Sequence, residues 1–564
     1  MKEKGSMPEL EEKLKNLLSE KMQEGGTAAG FALIKEGELI TALAIGTQKG
    51  DEQTPASPDS LYNVGSVSKV YCAMSVMKLV EQGKVSLDAP VCSYLPRFIM
   101  PNDRYKKITL RMCINHSSGL PGTNFNKIFT TEWLGDEYHD LTYDYLSKCK
   151  LKAEPGEFST YCNDGFTLAE LVVAEVSGMS YTEFLQKYIT QPLGAKSTCT
   201  GENLPIDKLI AEKGKKEEYV TAIGSGGIVT SLTDCARFGH MFLEPQGVFT
   251  RESIDECITP QGTSNLPDNL AQSLGLGWDC VRYKSADHDF GEGTLLKSGG
   301  TTSFLSYLMV SRKHKFAAAI SVTMDTKIDA LAAIDEMCGL TLEELGIKAR
   351  REKPDAAEVE KKAVPKEFYD KYPGNYFSGA AIFDVKIEDA ILSVRKKNDD
   401  EWTDVFIDAK YDGTHFVTDK DKLLFQERDG SVYLSQVAPI GLRTLGQKPP
   451  RFPQIHSSWK MRVGKKYVLA DASPLDIIAE LLCETELQAP VKDGPLTLRL
   501  NGLDGTPMYC SFISTGENET DMFLNAPGSP GSRDCFAPII WERDGLEYLY
   551  FAGYTFVWCR QLTL

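Results

Sequence analysis

The sequence predicts an α/β (α+β) domain whose terminal strands share one sheet, followed by two small antiparallel β domains. Three observations carry this. Apolar strand patterns lie at both ends of residues 1–345, with helical patterns between them. A charged stretch bearing Pro354 and Pro365 then interrupts the chain. Beyond it the pattern changes to short alternating strands and tight Asp-Gly turns.

Leucines at helical spacing among charges predict an amphipathic helix over 9–24. Residues 28–35 and 39–46 read as a hairpin turning at Glu36-Gly37. After Ser66, the apolar residues Val67, Val70, Ala73, Met74, Met77 and Val80 recur at i, i+3, i+4 spacing and predict a helix. Pro155-Gly156 marks a turn, 158–161 reads as extended, and a helical run begins near Leu168. Further helices are expected over 181–189 and 233–243. Two buried strands, 305–310 and 316–323, surround a turn at Arg312-Lys313, and the terminal strands are expected to pair in one sheet.

The expected organisation is therefore a first domain over 1–345, a charged linker over 346–368, and β-barrel or sandwich domains over 369–450 and 451–564. Pro449-Pro450-Arg451-Phe452-Pro453 divides the last two. Expected strands include 381–387, 392–396, 415–418 and 423–427. Both β blocks contain one phrase, Glu427-Arg-Asp-Gly430 and Glu542-Arg-Asp-Gly545, read as strand, Asp-Gly turn, strand.

With 62 basic against 79 acidic residues the chain carries a net charge of −17, which repels phosphate backbones and anionic lipid, so neither nucleic acid nor a membrane is an expected partner. The first residues have no apolar core of a secretory signal and no later run is long enough to span a bilayer, so the expected compartment is cytoplasmic. Fourteen cysteines are scattered without a CxxC pair; Cys72, Cys162 and Cys559 read as small core side chains. Seven isolated histidines complete no ligand set, so no metal and no cofactor is expected.

Chemistry concentrates in three motifs: Ser66-Val-Ser-Lys69, Tyr161-Cys-Asn163 and Lys297-Ser-Gly-Gly300. On a helix Lys69 lies one turn beyond Ser66, on the same side, where its amine can reach the hydroxyl. Each motif has a plainer reading: a helix cap for Ser66, a structural Tyr-x-Asn, a bulged edge strand with a solvated lysine. Ser-x-x-Lys also recurs at Ser75–Lys78, Ser147–Lys150, Ser393–Lys396 and Ser457–Lys460. What separates Ser66 is Gly65 before it, the apolar-faced helix after it, and the other two motifs following in order.

That order resembles the penicillin-recognising serine hydrolases, in the branch of class C β-lactamases, D-alanyl-D-alanine carboxypeptidases, D-aminopeptidases and related esterases. Similar phrases run from Ile108 through Asn115-His-Ser-Ser-Gly-Leu-Pro121, over Gly226-Gly-Ile-Val-Thr-Ser-Leu-Thr-Asp234, and at Gly275-Leu-Gly-Trp278. The resemblance covers about residues 10 to 340; the trailing blocks resemble more loosely the barrels appended to D-aminopeptidases. It implies a β-lactamase/transpeptidase-like fold, an antiparallel sheet flanked by helices, and Ser66 as nucleophile, with Lys69 or Tyr161 as general base. It implies an oxyanion hole from the Ser66 and Gly300 amides, Asn163 on the substrate amide carbonyl, and Lys297 with Ser298 attracting a substrate carboxylate. The expected substrate is a small molecule or short peptide, foremost an amide containing D-amino acids. A promiscuous esterase and a penicillin-binding protein with little turnover are the alternatives.

Overall fold

Glu36 and Gly37 both take positive φ, 50° and 87°, the backbone of a two-residue hairpin turn, and the strands Ala28–Lys35 and Glu38–Gly46 fold back on each other. On its other edge Ala28–Lys35 pairs antiparallel with Phe316–Thr323, so the two ends of the first domain meet in one sheet. The sheet runs outward through Phe304–Ser311 and Thr294–Gly300 to Cys280–Tyr283, six strands, all antiparallel. The computed structural model describes residues 7–22, 26–49, 54–352, 361–502, 505–528 and 533–559.

Phe316–Thr323 is buried along its whole length, which requires cover on both faces. Phe316, Ala318, Ile320 and Val322 face Leu10, Leu14 and Leu18 of the helix Met7–Lys21 and Ile334 and Met337 of the helix Ala330–Glu344. Ala317 and Ala319 face the larger core around Phe238 of the helix Leu232–His240. The expected first helix ends at Lys21, and residues 23–25 lie outside the described ones. The helix expected over 181–189 is α-helical at Tyr181–Leu185 and then loosens into a π-turn at Gln186–Thr190. The helix expected near Leu168 begins earlier, at Asp164, without a side-chain cap, because the Asn163 amide that could cap it is engaged elsewhere.

Of the charged linker, residues 353–360, with Pro354, lie outside the described residues. Its first part docks on the domain through Asp289 N–H to Ala349 O and Arg351 N–H to Asp287 O. The next eight strands, from Gly374–Phe377 to Gly441–Lys448, pair in chain order and close into a barrel where Phe377 meets Gln447. Tyr376, Val385, Val394, Leu423 and Leu434 fill it. The last block is an eight-stranded antiparallel sheet with Glu484–Gln488 and Lys466–Leu469 at its centre. The shared phrase forms the same turn in both blocks: Asp429 and Gly430 at φ 50° and 78°, Asp544 and Gly545 at 54° and 75°. The last sheet does not stand apart. Its Tyr467, Leu549 and Phe556 belong to one continuous apolar core with Leu120, Tyr145 and Phe166 of the first domain.

Candidate active site

Gly65–Val67 forms a 3-10 turn that runs straight into the helix Ser68–Glu81. Ser68 braces this junction, its Oγ donating to Gly65 O at 2.6 Å and accepting from Ile228 N–H at 2.9 Å. Among the described residues no side chain caps the turn or the helix, so Ser66 is not a cap. Its Oγ lies 3.0 Å from Lys69 Nζ, the Ser–Lys pair the spacing predicts.

Lys69 is fully buried, and Nζ has two further partners: Asn163 Oδ1 at 2.6 Å and Ser225 O at 2.7 Å. Both are carbonyl oxygens and can only accept. They take two amine protons, so in the neutral amine the remaining direction, towards Ser66, holds the lone pair. Burial pushes the Lys69 amine down to about 8; Lys297 adds to this and Tyr161 opposes it.

Tyr161 is ringed by cations. Lys297 Nζ is 3.4 Å from its hydroxyl, and Lys69 Nζ and the Arg533 guanidinium lie 4.7 and 4.6 Å from its ring centre. Burial pushes the phenol up, but Lys297, Lys69 and Arg533 outweigh it and hold Tyr161 below the ordinary tyrosine range. The His116 ring stacks on Tyr161 at 4.4 Å, its Nδ1 accepting from Cys162 N–H at 3.0 Å. Burial, then Lys69 and Lys297, keep His116 well below its usual value and neutral.

Strand Thr294–Gly300 carries the third motif against this turn. A Cβ on Gly299 would stand 2.0 Å from Val64 O, and one on Gly65 2.8 Å from Gly300 N, so both positions need glycine for backbones to touch. The Ser66 and Gly300 amides therefore sit on adjoining backbone. Lys297 and Ser298 are not idle. Asp279 Oδ1 accepts from Lys297 Nζ at 2.7 Å; its Oδ2 accepts from Ser298 N–H at 2.8 Å and Ser298 Oγ at 2.5 Å. Burial pushes the Lys297 amine down, but Asp279 and Tyr161 outweigh it and hold it above the ordinary lysine range.

All seven residues singled out from sequence, Ser66, Lys69, Tyr161, Asn163, Lys297, Ser298 and Gly300, thus come together, in two connected sets. Sequence reasoning missed five others. Ser225 and Asp279 directly flank two of the quoted phrases, and His116 lies inside a third, so a signal existed for each. Thr123, which accepts from Asn163 Nδ2 at 3.0 Å, and Arg533, from the last β block, had none. Among the described residues no group of three or more His, Cys, Asp or Glu is placed to hold a metal ion.

A buried helical lysine set between a serine, an asparagine and a backbone carbonyl, in a domain whose antiparallel sheet is flanked by helices, defines the serine hydrolases that carry a Ser-x-x-Lys motif. Residues 14–335 match the Beta-lactamase family, and the chain belongs to that family of hydrolases. It is 28% identical over 318 residues to the D-alanyl-D-alanine-carboxypeptidase/endopeptidase AmpH of Escherichia coli (strain K12), across 53% of this chain and 80% of that protein. It is 25% identical over 335 residues to Protein flp of Staphylococcus aureus (strain MW2), across 56% of this chain and 64% of that one. The crystal structure of SurE matches with a TM-score of 0.52 at 17% identity, covering 89% of this chain and 98% of that one, a likeness of fold that takes in the β blocks. No described helix is long and apolar enough to cross a membrane.

Proposed function

We propose that the protein hydrolyses amide bonds of small peptides containing D-amino acids, through an acyl-enzyme on Ser66. The observation that carries this is the Lys69 amine, whose two neighbouring carbonyls leave one direction, and that direction is Ser66. Ser66 Oγ attacks the substrate carbonyl as its proton passes to Lys69. Tyr161, held low by surrounding cations, carries the proton on to the leaving amine. The Ser66 and Gly300 amides receive the oxyanion. Asn163 keeps a second Nδ2 proton, which can meet the substrate amide carbonyl, and water then releases the acyl group from Ser66. The substrate class is supported by Lys297 in the third motif and by the relative named as a D-alanyl-D-alanine carboxypeptidase/endopeptidase.

Labelling with a fluorophosphonate or fluorescent penicillin tests the nucleophile: wild type becomes labelled and Ser66→Ala does not. Persistent labelling of the variant would overturn the assignment. A panel of a D-Ala-D-Ala peptide, a D-amino-acid p-nitroanilide, a cephalosporin and a short-chain ester tests the substrate class. Turnover of the ester alone would replace the peptidase reading with the esterase one.

A further inference from the structure

The connection between the strands Thr520–Asp521 and Ile539–Arg543 brings Arg533 over the Tyr161 ring and Asp534 onto residues 121–123. Cys535 N–H donates to Pro121 O at 3.0 Å, and Lys152 Nζ donates to the Arg533 carbonyl. Gly122, at φ 148°, leaves room for the incoming carboxylate; a Cβ there would stand 2.5 Å from Asp534 Oδ1. The approach is therefore built on both sides.

The hydrogen bonds beyond it have a direction. The Thr123 hydroxyl donates to Asp534 Oδ1 at 2.8 Å and so spends its one proton there. Thr123 Oγ1 then meets Asn163 as an acceptor, 3.0 Å from Nδ2. This fixes which end of the amide faces Thr123, and leaves Oδ1 facing Lys69 Nζ at 2.6 Å. A reversed amide would turn an N–H on Lys69. That N–H would claim the lone pair of the neutral amine and rotate an amine proton towards Ser66.

We infer that Asp534, supplied by the C-terminal sheet, is a positioning residue for the chemistry at Ser66: through Thr123 it sets the orientation of Asn163 and keeps the Lys69 lone pair aimed at the Ser66 hydroxyl. The inference rests on Lys69 as the base that activates Ser66. It makes the last β block part of the catalytic apparatus, although the family match ends at residue 335.

The test uses the full chain and four variants: Thr123→Val, Thr123→Ser, Asp534→Asn and the double variant Thr123→Val/Asp534→Asn. Fluorophosphonate labelling rates are measured across pH, with a melting temperature for each protein. Thr123→Val should lower the plateau rate about tenfold, a part of what a positioned base contributes. It should also move the acid limb to lower pH, because losing the Oδ1 acceptor removes a group that favours the charged amine. Thr123→Ser, which keeps the hydroxyl, should restore both. Asp534→Asn should reproduce Thr123→Val, since an amide can present a donor to Thr123 and remove the fixed direction, and the double variant should be no slower than Thr123→Val alone. Rates within about twofold of wild type with an unmoved limb would overturn the inference, as would additive losses in the double variant. A loss that tracks a lowered melting temperature, with the limb unmoved, would reduce Asp534 to a structural contact. Failure of wild type itself to label at Ser66 would instead remove the reading beneath the inference, and the inference with it.

Discussion

One helical run contains Ser-x-x-Lys twice, at Ser66–Lys69 and at Ser75–Lys78, and the two pairs behave differently. Ser75 is fully buried and donates back to Tyr71 O at 2.9 Å, as serines inside helices do, away from its lysine. Lys78 is spent in an ion pair with Glu81 at 2.6 Å and on the Val248 carbonyl. Lys69 has three neutral hydrogen-bond partners, one of them Ser66. Spacing puts both lysines one turn beyond a serine. What surrounds the amine decides whether it can give up a proton and turn to the hydroxyl.

Removing the hydroxyl breaks the comparison most completely. Ser66→Ala should lower acylation by about 10⁴-fold or more, the scale on which nucleophile deletions act. Stopped-flow hydrolysis of an activated ester measures it, and a loss below tenfold would transfer the nucleophile elsewhere.

Asn163→Asp would give Lys69 the kind of partner Lys78 already has. A carboxylate in place of Oδ1, 2.6 Å from Nζ, favours the charged amine and raises the Lys69 value from about 8. The neutral fraction of the Lys69 amine at neutral pH then falls well below that of wild type, and activity there should fall by about 10²-fold. It should recover as pH rises, so that the acid limb of the rate profile moves to higher pH than in wild type. In wild type that limb should lie near the Lys69 value, with acylation rising as pH passes it. A variant whose limb stays in place would exclude Lys69 as the titrating base.

The comparison also explains what was legible in the sequence. Terminal strands, their hairpin turns and the three motifs are local patterns, and each reappears: Glu36-Gly37 at its turn, Ser66 one turn from Lys69, Lys297-Ser-Gly-Gly300 just before the strand Phe304–Ser311. The partners that tune them are not local. Asp279 reaches Lys297 and Ser298 through the pairing of neighbouring strands, and Ser225 offers a backbone carbonyl; the phrases beside them mark the neighbourhood, and no residue type announces the contact. Arg533 and Asp534 arrive because the C-terminal sheet shares an apolar core with the first domain, a docking that residue patterning does not encode. The helix starts at Asp164 and not near Leu168 for a related reason: Asn163 faces the site, not the helix end.

Asp279 gives a sharper test of the third motif. The carboxylate anchor implied for Lys297 and Ser298 is occupied by a carboxylate of the chain itself. Asp279→Asn should release Lys297 and lower KM for carboxylate-bearing substrates by about tenfold, the value of one charge-assisted hydrogen bond gained. A neutral ester should be unaffected in KM. Equal changes for both substrates would mean that Asp279 shapes the strand and does not compete for the anchor.

The smallest effect belongs to the second pair. Ser75→Ala removes a hydroxyl whose bond merely competes for a helix carbonyl, so stability should change by about 1 kcal/mol or less, alanine's better helix propensity offsetting the lost bond. Thermal melting and ester hydrolysis measure the two consequences separately. Hydrolysis should stay within about twofold of wild type, as for a substitution remote from the reacting atoms. A large loss of activity at unchanged melting temperature would place Ser75 in the chemistry and remove the contrast between the two pairs.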